Sequence, residues 1–400
     1  MRDALKWGAA ALLSGNKTVP FFSQSATFAE LWPDICQQVD DVIRVGKYSH
    51  GHKVAEFEQA LADYTGARHV VAVNSGTDAL VLALRAAGLR PGDEVVVPVF
   101  SFVASASSVV LAGGRPVFAD IEPDSYGLDP AAAADAVTPT CGFVMPAHLF
   151  CQLADLGGIG EVARRHGLTV IEDSAEAIGM RWAGTHAGLV GRAGVLSFFP
   201  SKTLGAVSDA GAVLTDDPEL AETAAALRHH GRFGATVNNF PGISNTTAIS
   251  GVNSKMDDIQ AAVLLAKLTR LEVDIKRRAV LAEAYRQRLG DIPGVLRLPT
   301  VVHRGVPTTD VFYVFVIEVE RRVELVEYLA GEGIGTETYY PVPLHLQPCF
   351  ADLGHRPGAF PVAERACRHT LALPLYPDLG LDGVDVVCDA IARFYTGRVA

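Results

Sequence analysis

Short apolar runs and segments with helical periodicity alternate along residues 69–230, and this alternation constrains the fold more than any other feature of the sequence. Each apolar run is short and bounded by turn-forming residues, as expected of a buried strand. Buried strands that alternate with helices predict an α/β fold with a mostly parallel sheet covered by helices on both faces. Seven strands are predicted, at residues 69–74, 94–99, 116–121, 142–149, 168–172, 196–199 and 212–215.

The pattern changes after about residue 255. Residues 255–290 predict one long helix of mixed charge, followed by a strand within 311–319, a helix at 322–331 and a last helix at 384–395. A chain of 400 residues is long for a single domain. We therefore expect a large α/β domain over residues 1–265 and a smaller C-terminal α/β domain over residues 266–400.

Charge and composition disfavour several classes of function. The formal net charge of −11 disfavours non-specific binding to nucleic acid or to anionic membranes, although a locally basic site can still bind an anionic small substrate. No apolar stretch is long and clean enough to span a membrane. The six cysteines have neither metal-binding spacing nor the density of a disulfide framework, which indicates a reducing compartment, and we expect a cytoplasmic protein.

An apolar run near the N-terminus has two interpretations. Arg2 and Lys6 precede the apolar residues 7–13, and this arrangement faintly resembles a secretory signal. The run is short, Gly8 interrupts it, and no cleavage site of small residues follows. We therefore favour a helix that lies on the body of the protein.

Four groups of residues carry candidate chemistry, and all of them fall at strand ends, where parallel sheets bind ligands. Residues 74–78 form a Gly-containing turn before a helix. Such a turn can bind a phosphate through its N–H groups, or it can be an ordinary helix cap. Phe102 follows the second strand, and its ring either stacks on a planar ligand or packs in the core.

The other two groups are charged. Glu172, Asp173 and Glu176 follow the fifth strand. Paired carboxylates there are often a metal or acid–base site, but no His or Cys accompanies them, and contact with a cationic heteroaromatic nitrogen is an equally good interpretation. Lys202 lies between aromatic and small residues within 197–205. Those surroundings predict a desolvated, nucleophilic amine with a lowered pKa; the alternative is a solvated lysine on a turn.

Each group is weak alone, but their order along the chain is what pyridoxal phosphate (PLP) requires. The phosphate of PLP needs a helix N-terminus, and its ring needs a stacking partner. Its pyridine nitrogen needs a carboxylate to stay protonated, and its aldehyde needs a lysine amine. The sequence therefore predicts PLP as the cofactor, and it predicts no metal site.

Several motifs in this order resemble the DegT/StrS family of fold-type I PLP-dependent sugar aminotransferases. The matching segments are residues 75–80, 92–98, 146–149, 197–202, 251–256 and 343–348. The resemblance extends from about Val19 to the C-terminal helix, so it covers nearly the whole chain. It implies the fold-type I architecture, with the sheet of seven strands in the large domain.

The resemblance implies a role for each matching residue. Lys202 would bond to the aldehyde of PLP and then move the proton, while Asp173 would pair with the pyridine nitrogen. The remaining cofactor contacts are expected at Gly76, Thr77, Phe102, Glu176 and Ser197, and at Asn253, which would reach the phosphate of the neighbouring subunit. That contact implies a homodimer with shared active sites. Substrate contacts are expected at His148, Arg232, Tyr339 and His345.

Three residues depart from the pattern of the family. Glu176 stands where Gln or His is usual, and a carboxylate beside the phenolic oxygen of PLP would repel it unless the carboxylate were protonated or displaced. Val252 stands where Tyr is usual, and Tyr339 where His is usual. These departures lie on the expected substrate side.

The resemblance also implies the reaction. L-glutamate or L-glutamine would donate an amino group to a nucleotide-linked keto-deoxyhexose in amino-sugar biosynthesis, for example for an antibiotic. Arg232, His229, His230 and Lys255 would either supply positive charge for the diphosphate or form a solvated face. Three alternatives are a keto-cyclitol acceptor such as an inosose, a PLP-dependent sugar dehydratase, and a PLP-binding regulatory protein. Dehydratases of the family carry His in place of the lysine, so Lys202 argues against that alternative.

Overall fold

The computed structural model describes residues 18–233 and 247–397. The helix expected over residues 7–13 lies outside the described residues. The helices of the described part are α1 (Ser25–Val45), α2 (His52–Thr65), α3 (Gly76–Ala86), α4 (Val103–Leu111), α5 (Pro130–Ala136), α6 (Leu156–His166), α7 (Pro218–Leu227), α8 (Asp258–Leu268), α9 (Leu271–Leu289), α10 (Arg322–Gly331), α11 (Pro361–His369) and α12 (Gly380–Thr396). Two short 3₁₀ helices lie at Leu344–Leu346 and Pro348–Leu353.

The strands form one large sheet and two small ones. They are β1 (His69–Val73), β2 (Glu94–Pro98), β3 (Arg115–Ala119), β4 (Cys141–Val144), β5 (Thr169–Asp173), β6 (Arg181–Trp182), β7 (Thr185–His186), β8 (Ala193–Ser197), β9 (Gly211–Thr215), β10 (Val295–Arg297), β11 (Thr308–Thr309), β12 (Phe315–Val319) and β13 (Thr370–Leu373). The seven-stranded sheet has the order β1-β9-β8-β5-β4-β2-β3. Its strands from β8 to β3 are parallel, and β9 runs antiparallel to both of its neighbours.

The mostly parallel sheet and the α/β class are therefore confirmed. Alternate residues of a strand enter different cores, because successive side chains point to opposite faces of a sheet. Val195 of β8 packs in the core that contains α3 and α4, whereas Leu196 packs with Phe57 of α2 and Leu264 of α8. Each face is thus covered by helices, as the continuous apolar strands predict.

The prediction for the sixth strand, residues 196–199, is wrong by about three residues, because β8 begins at Ala193. β8 ends at Ser197, and the chain then leaves the sheet at Phe198 and Phe199. Residues 196–199 look like a strand because they are apolar, but Phe198 is buried beneath a turn in which its carbonyl accepts the N–H of Ala206 at 2.8 Å. This turn carries Lys202.

A second unit follows in the chain. The antiparallel strands β10, β12 and β13 form a three-stranded sheet, and its apolar face packs with α9, α10 and α12. Tyr285 and Phe315 stack at the centre of this core, with ring centroids 4.9 Å apart. The division of the chain at residue 265 stays a prediction.

The prediction of one long helix over residues 255–290 is wrong. α8 ends at Leu268 and α9 begins at Leu271, although neither Gly nor Pro separates them. The two helices contact different partners, since α8 packs on α1 and α2 whereas α9 packs on α12. Tertiary packing and the ion pair of Arg270 with Asp274 set the break, rather than local propensity.

Residues 18–233 and 247–397 contain neither a membrane-spanning helix nor a cluster of metal ligands. None of their helices combines the length and the apolar character that a membrane crossing requires. Nor do these ranges bring three or more His, Cys, Asp or Glu side chains together in an arrangement suited to a metal ion.

Candidate active site

A cavity of about 430 Å³ opens at the carboxyl ends of the parallel strands. Its walls come from the residues that follow β1, β2 and β4, from the ends of β5 and β8, and from three tyrosines of the later part of the chain. The cofactor residues expected from the sequence that line it are Gly76, Thr77, Phe102, Asp173, Glu176, Ser197 and Lys202. These seven residues, which span 126 positions of the sequence from Gly76 to Lys202, thus meet in one place.

The N-terminus of α3 forms one end of the cavity. Ser75 caps the helix, and its Oγ accepts the N–H of Asp78 at 3.1 Å. A Cβ at Gly76 would lie 2.8 Å from the Cβ of Ser197, so the helix can approach the end of β8 only because residue 76 is Gly. The closeness leaves the positive end of the helix facing the cavity, which favours an anionic group there.

Asp173 is the last residue of β5 and is largely buried. Its Oδ2 accepts a hydrogen bond of 2.6 Å from Ser105 Oγ, and Ser105 Oγ lies 2.7 Å from Ser101 Oγ. Both serines are buried. A chain of two hydroxyls therefore fixes the orientation of this carboxylate in the wall of the cavity.

Lys202 lies opposite, and its Nζ is 3.1 Å from Glu176 Oε1. The other oxygen of Glu176 accepts the N–H of Phe150 at 2.9 Å, so the carboxylate is held in place. Burial works to lower the pKa of Lys202, but the charge of Glu176, with smaller contributions from Tyr313 and Asp173, raises that pKa above its usual value. The expected lowering of the Lys202 pKa is thus wrong, because a carboxylate outweighs desolvation.

Glu172 and Asp173 have different environments, although they are adjacent. Glu172 is fully buried and accepts N–H groups from the turn at Gly188–Gly191, and His148 Nε2 lies 3.0 Å from it. Burial works to raise the pKa of Glu172, but the hydrogen bonds from His148, Gly191 and Gly188 lower it below its usual value. Glu172 therefore ties a turn and His148 to β5 and does not line the cavity.

Aromatic rings form much of the remaining wall. The ring centroid of Tyr313 lies 4.3 Å from Lys202 Nζ, and its hydroxyl is 3.2 Å from Ser201 Oγ. Phe102 is 58% exposed at the cavity, and its ring lies 6.4 Å from that of Tyr340. The wall thus offers flat apolar surface to a planar ligand.

A family model for the DegT/DnrJ/EryC1/StrS aminotransferases matches residues 30–392. The chain belongs to this family. The chain is accordingly a PLP-dependent aminotransferase, and the cavity with its lysine, carboxylates and helix N-terminus is its candidate active site.

Individual relatives are similar over nearly their full length. A dTDP-3-amino-3,4,6-trideoxy-α-D-glucose transaminase of Streptomyces venezuelae is 39% identical, with 94% of this chain and 96% of the relative covered. A pleiotropic regulatory protein of Geobacillus stearothermophilus is also 39% identical, with 94% and 98% covered. The crystal structure of Streptomyces venezuelae DesV in complex with a ketimine intermediate has a TM-score of 0.88 at 38% identity, covering 96% of this chain and all of that one.

The described residues of this aminotransferase fit PLP. Gly76 leaves room for a phosphate at a helix N-terminus, where a Cβ would meet Ser197. Asp173 provides a fixed carboxylate and Lys202 provides an amine, and both border the cavity that Phe102 closes with its exposed ring. This is the donor and acceptor set that PLP needs.

Not every expected residue of the aminotransferase lines this cavity. Tyr339 and His148 do, but both ring nitrogens of His148 already contact protein atoms, at Glu172 and at the N–H of Ala154. His345 is buried elsewhere, 3.2 Å from Glu364. Arg232 and Asn253 also lie outside the walls of this cavity.

Arg232 belongs to a cationic group beside a second cavity of about 290 Å³, which His50, Arg228 and His229 also line. Burial, together with the charges of Lys255 and Arg232, lowers the pKa of His229 to about 4. The histidine is therefore neutral at pH 7. The positive charge of the group comes from the two arginines and from Lys255, which donates a hydrogen bond to Asn253 Oδ1.

Sequence reasoning missed several residues of the aminotransferase cavity: Ser101, Ser201, Asp209, Tyr313 and Tyr340. Ser101 and Ser201 directly precede the predicted residues Phe102 and Lys202, so proximity in the sequence could have identified them. Tyr313 precedes a strand of the second unit and reaches the cavity only through tertiary packing. No local pattern distinguishes it from a core aromatic residue.

Proposed function

We propose that this aminotransferase moves an amino group from L-glutamate or L-glutamine to a nucleotide-linked keto-deoxyhexose in amino-sugar biosynthesis. The proposal is supported by the activity of the 39% identical Streptomyces relative, a dTDP-amino-sugar transaminase. The observation that carries it is the meeting of Lys202, Asp173 and the N-terminus of α3 in one cavity. Six cysteines without disulfide bonds are consistent with our placing the reaction in the cytoplasm.

Several residues of the cavity have a defined part in this proposal. When bound, PLP supplies an electron sink for the bond that breaks at the amino-acid carbon. Lys202 Nζ would hold the cofactor through its aldehyde and, once freed by the amino donor, would serve as the base that carries the proton away from the amino-acid carbon. Asp173 keeps the ring nitrogen protonated, and its orientation is fixed by Ser105.

The other contacts hold the cofactor in place. Gly76, Thr77 and Ser197 bind the phosphate at the helix N-terminus, which favours negative charge. Phe102 covers one face of the ring with its exposed aromatic surface. Glu176 holds the amine of Lys202 through the 3.1 Å contact whenever the lysine is not bonded to the cofactor.

We propose a homodimer with shared active sites. Lys202 is the only cationic side chain among the described residues that line the cavity, so the carboxylate of the donor and the diphosphate of the acceptor need cations from elsewhere. Arg232 and Lys255, beside Asn253, are suited to enter the site of the other subunit. Asn253 reaches the phosphate of PLP there.

An apolar groove also supports the dimer. Phe28, Trp32, Ile43 and Val207 line it, and the side chains of Trp32, Ile43 and Val207 are about half exposed. A cluster of exposed apolar side chains is a feature of protein–protein interfaces. Val207 follows the turn that carries Lys202, so the groove lies close in the sequence to the active site.

An absorption spectrum tests the first half of the reaction. Purified protein with PLP is expected to show a visible band that shifts to the near ultraviolet on addition of L-glutamate. A Lys202→Ala variant is expected to fold and to lack both changes. A band that ignores glutamate and glutamine would overturn the donor, and a band unchanged by Lys202→Ala would overturn the role of the lysine.

The acceptor is tested by the return of the visible band. A nucleotide-linked keto-deoxyhexose added to the amino form of the enzyme is expected to restore the band within seconds to minutes, and an inosose is not. Restoration by the inosose alone would replace the proposed acceptor with a keto-cyclitol.

A further inference from the structure

The turn that carries Lys202 is unusually tight. The N–H of Lys202 donates to the carbonyl of Phe199 at 2.8 Å, and the N–H of Ala206 donates to that of Phe198 at 2.8 Å. A Cβ at Gly205 would lie 2.2 Å from the carbonyl oxygen of Pro200, so the two ends of the turn touch. A side chain that donates hydrogen bonds to these ends therefore holds the whole turn in place.

Two side chains from distant parts of the sequence bind both ends. Lys267 Nζ donates hydrogen bonds to the carbonyl of Gly205 and to Gln24 Oε1. Gln24 Nε2 donates in turn to the carbonyl of Pro200. Together they form what we call the Gln24–Lys267 clamp, and neither residue lines the cavity.

We propose that Gln24 and Lys267 are positioning residues of the transamination, which fix the turn so that the amine of Lys202 points at the cofactor. The proposal rests on the proposed role of Lys202. The two residues hold the main chain of the turn from the side away from the substrate. The contacts inside the cavity do not perform this task. The Gln24–Lys267 clamp acts on the main chain, while Glu176 acts on the amine itself.

The chemistry of Lys267 argues against a purely structural role. The residue is 6% exposed, and the ring centroid of Phe28 lies 5.2 Å from its Nζ. Burying an ammonium is unfavourable, and an apolar side chain of the same length would fill the space at lower free energy. What the ammonium adds is a strong, directed hydrogen bond to each of its two acceptors.

Charged groups surround Lys267 on several elements. Burial lowers the pKa of Lys267 to about 7; the charge of Asp274 opposes this, and the charges of Arg278 and Arg270 add to it. The charged side chains that face it are Arg270 just before α9, Asp274 and Arg278 of α9, and Asp378 before α12, with Glu30 of α1 reached through Arg270. The uncharged contacts of the ammonium are Gln24 just before α1, Phe28 of α1 and the carbonyl of Gly205 in the turn.

The strength of the Gln24–Lys267 clamp therefore changes near neutral pH. Below about pH 7 the ammonium donates charged hydrogen bonds, and above it the neutral amine donates weaker ones. The orientation of Lys202 is expected to loosen over the same range. A guanidinium group stays charged over this pH range. Lys267→Arg therefore keeps the positive charge but removes its pH dependence.

The test measures how fast Lys202 bonds to PLP. Cofactor-free protein is mixed with PLP between pH 6 and 9, and the rate constant of the visible band is recorded for the unsubstituted protein, Lys267→Met, Lys267→Arg and Gln24→Leu. Lys276→Met, which changes an exposed lysine of α9, is the matched control. Borohydride reduction followed by peptide mass analysis locates the bond.

We expect Lys267→Met and Gln24→Leu to slow the reaction about tenfold at pH 6, since a small misplacement of a reacting group is enough for such a loss. The step in the rate near pH 7 is expected in the unsubstituted protein and in Lys276→Met, and to be absent in Lys267→Arg. Because Gln24 is only half-buried, its variant keeps the test valid if Lys267→Met does not fold.

The outcomes separate the two proposals. An adduct at Lys202 that forms at the same rate and with the same pH dependence in all variants would overturn the clamp alone. No adduct at Lys202 in the unsubstituted protein would overturn the proposed function, and the clamp with it. Slower bonding in Lys267→Met and Gln24→Leu, with a pH step that Lys267→Arg lacks, would support the clamp.

Discussion

Lys202 Nζ and Glu176 Oε1 lie 3.1 Å apart in the cavity, and the second oxygen of Glu176 is fixed by the N–H of Phe150. The lysine that must be a neutral nucleophile thus rests beside a carboxylate that favours its charged form. PLP carries its phenolic oxygen next to its aldehyde, so Glu176 borders both reacting partners.

Glu176→Gln is expected to lower the pKa of Lys202, because the amide keeps the shape but removes the charge. Each unit by which that pKa falls gives about ten times more neutral amine at pH 7. Bond formation with PLP should accelerate at neutral pH, with its midpoint shifted to lower pH in stopped-flow absorbance. Asp209→Asn, which neutralises an exposed carboxylate of the same cavity, should leave the midpoint in place. An unchanged midpoint in Glu176→Gln would refute this relationship.

Ser105→Ala is expected to lower kcat/KM for L-glutamate about tenfold, because the hydroxyl donates to a charged carboxylate. Ser108→Ala is the matched control on the same helix, since that buried hydroxyl bonds only to the carbonyl of Ser105, at 3.2 Å. Its kcat/KM should change less than about twofold. Equal losses in both variants would mean that α4 packing, and not the orientation of Asp173, is affected.

Gly76→Ala is expected to weaken PLP binding, because the added Cβ would lie 2.8 Å from the Cβ of Ser197 and push the helix N-terminus away. The dissociation constant, measured by fluorescence titration, should rise about tenfold or more. Gly160→Ala places the same methyl group on α6 with nothing within 4 Å, and it should leave cofactor affinity unchanged. Unchanged affinity in Gly76→Ala would remove the helix N-terminus from the phosphate site.

Glu172→Gln is expected to destabilise the fold by about 2 kcal/mol at pH 7, since it removes a buried charge that accepts several hydrogen bonds. The pKa of Glu172 is lowered on folding, so its stabilising effect is present above the ordinary value of 4.5 and is lost as pH falls through the folded pKa. The difference in melting temperature from the unsubstituted protein should therefore be largest near neutral pH and shrink below pH 4.5.

Glu161→Gln provides the comparison for that series. Its carboxylate pairs with Arg164 and Arg165 on the surface of α6, where water and salt screen the interaction. The melting temperature should change little at any pH. A gap between Glu172→Gln and the unsubstituted protein that is constant down to pH 3 would show that charge is not what Glu172 contributes.

Mixing two inactive variants tests the shared site. In the proposed homodimer, Lys202→Ala would disable the site of its own subunit, whereas Asn253→Asp would place a negative charge beside the phosphate of the other subunit. A heterodimer of the two has one intact site, so a refolded equimolar mixture should recover about a quarter of the normal activity. Each variant alone should stay inactive. No recovery, with dimers seen by light scattering, would place Asn253 in the site of its own subunit.

Local sequence was enough to predict the α/β class, a mostly parallel sheet of seven strands and seven of the residues that line the cavity. The reason is that burial on both faces of a parallel sheet forces continuous apolar strands, and β2 and β9 are buried throughout. Ligand residues then follow at the carboxyl ends of strands, where Asp173 and Ser197 stand. A few short motifs in a fixed order were therefore sufficient to indicate PLP.

Only the tertiary structure decided the environment of those residues. The pKa of Lys202 depends on Glu176, 26 positions away in the sequence, and on Tyr313, 111 positions away. A local sequence pattern does not show that these two side chains contact Lys202. The break between α8 and α9 likewise comes from packing on different partners.

The clamp on the turn shows the same division. Gln24 is separated from Pro200 by 176 positions, and Lys267 from Gly205 by 62. The sequence by itself determined which residue types are present and which local elements they form, because these depend on neighbours in the chain. Which charges, hydroxyls and carbonyls face one another was decided by the packed fold, because burial and hydrogen bonding join residues that the chain keeps far apart.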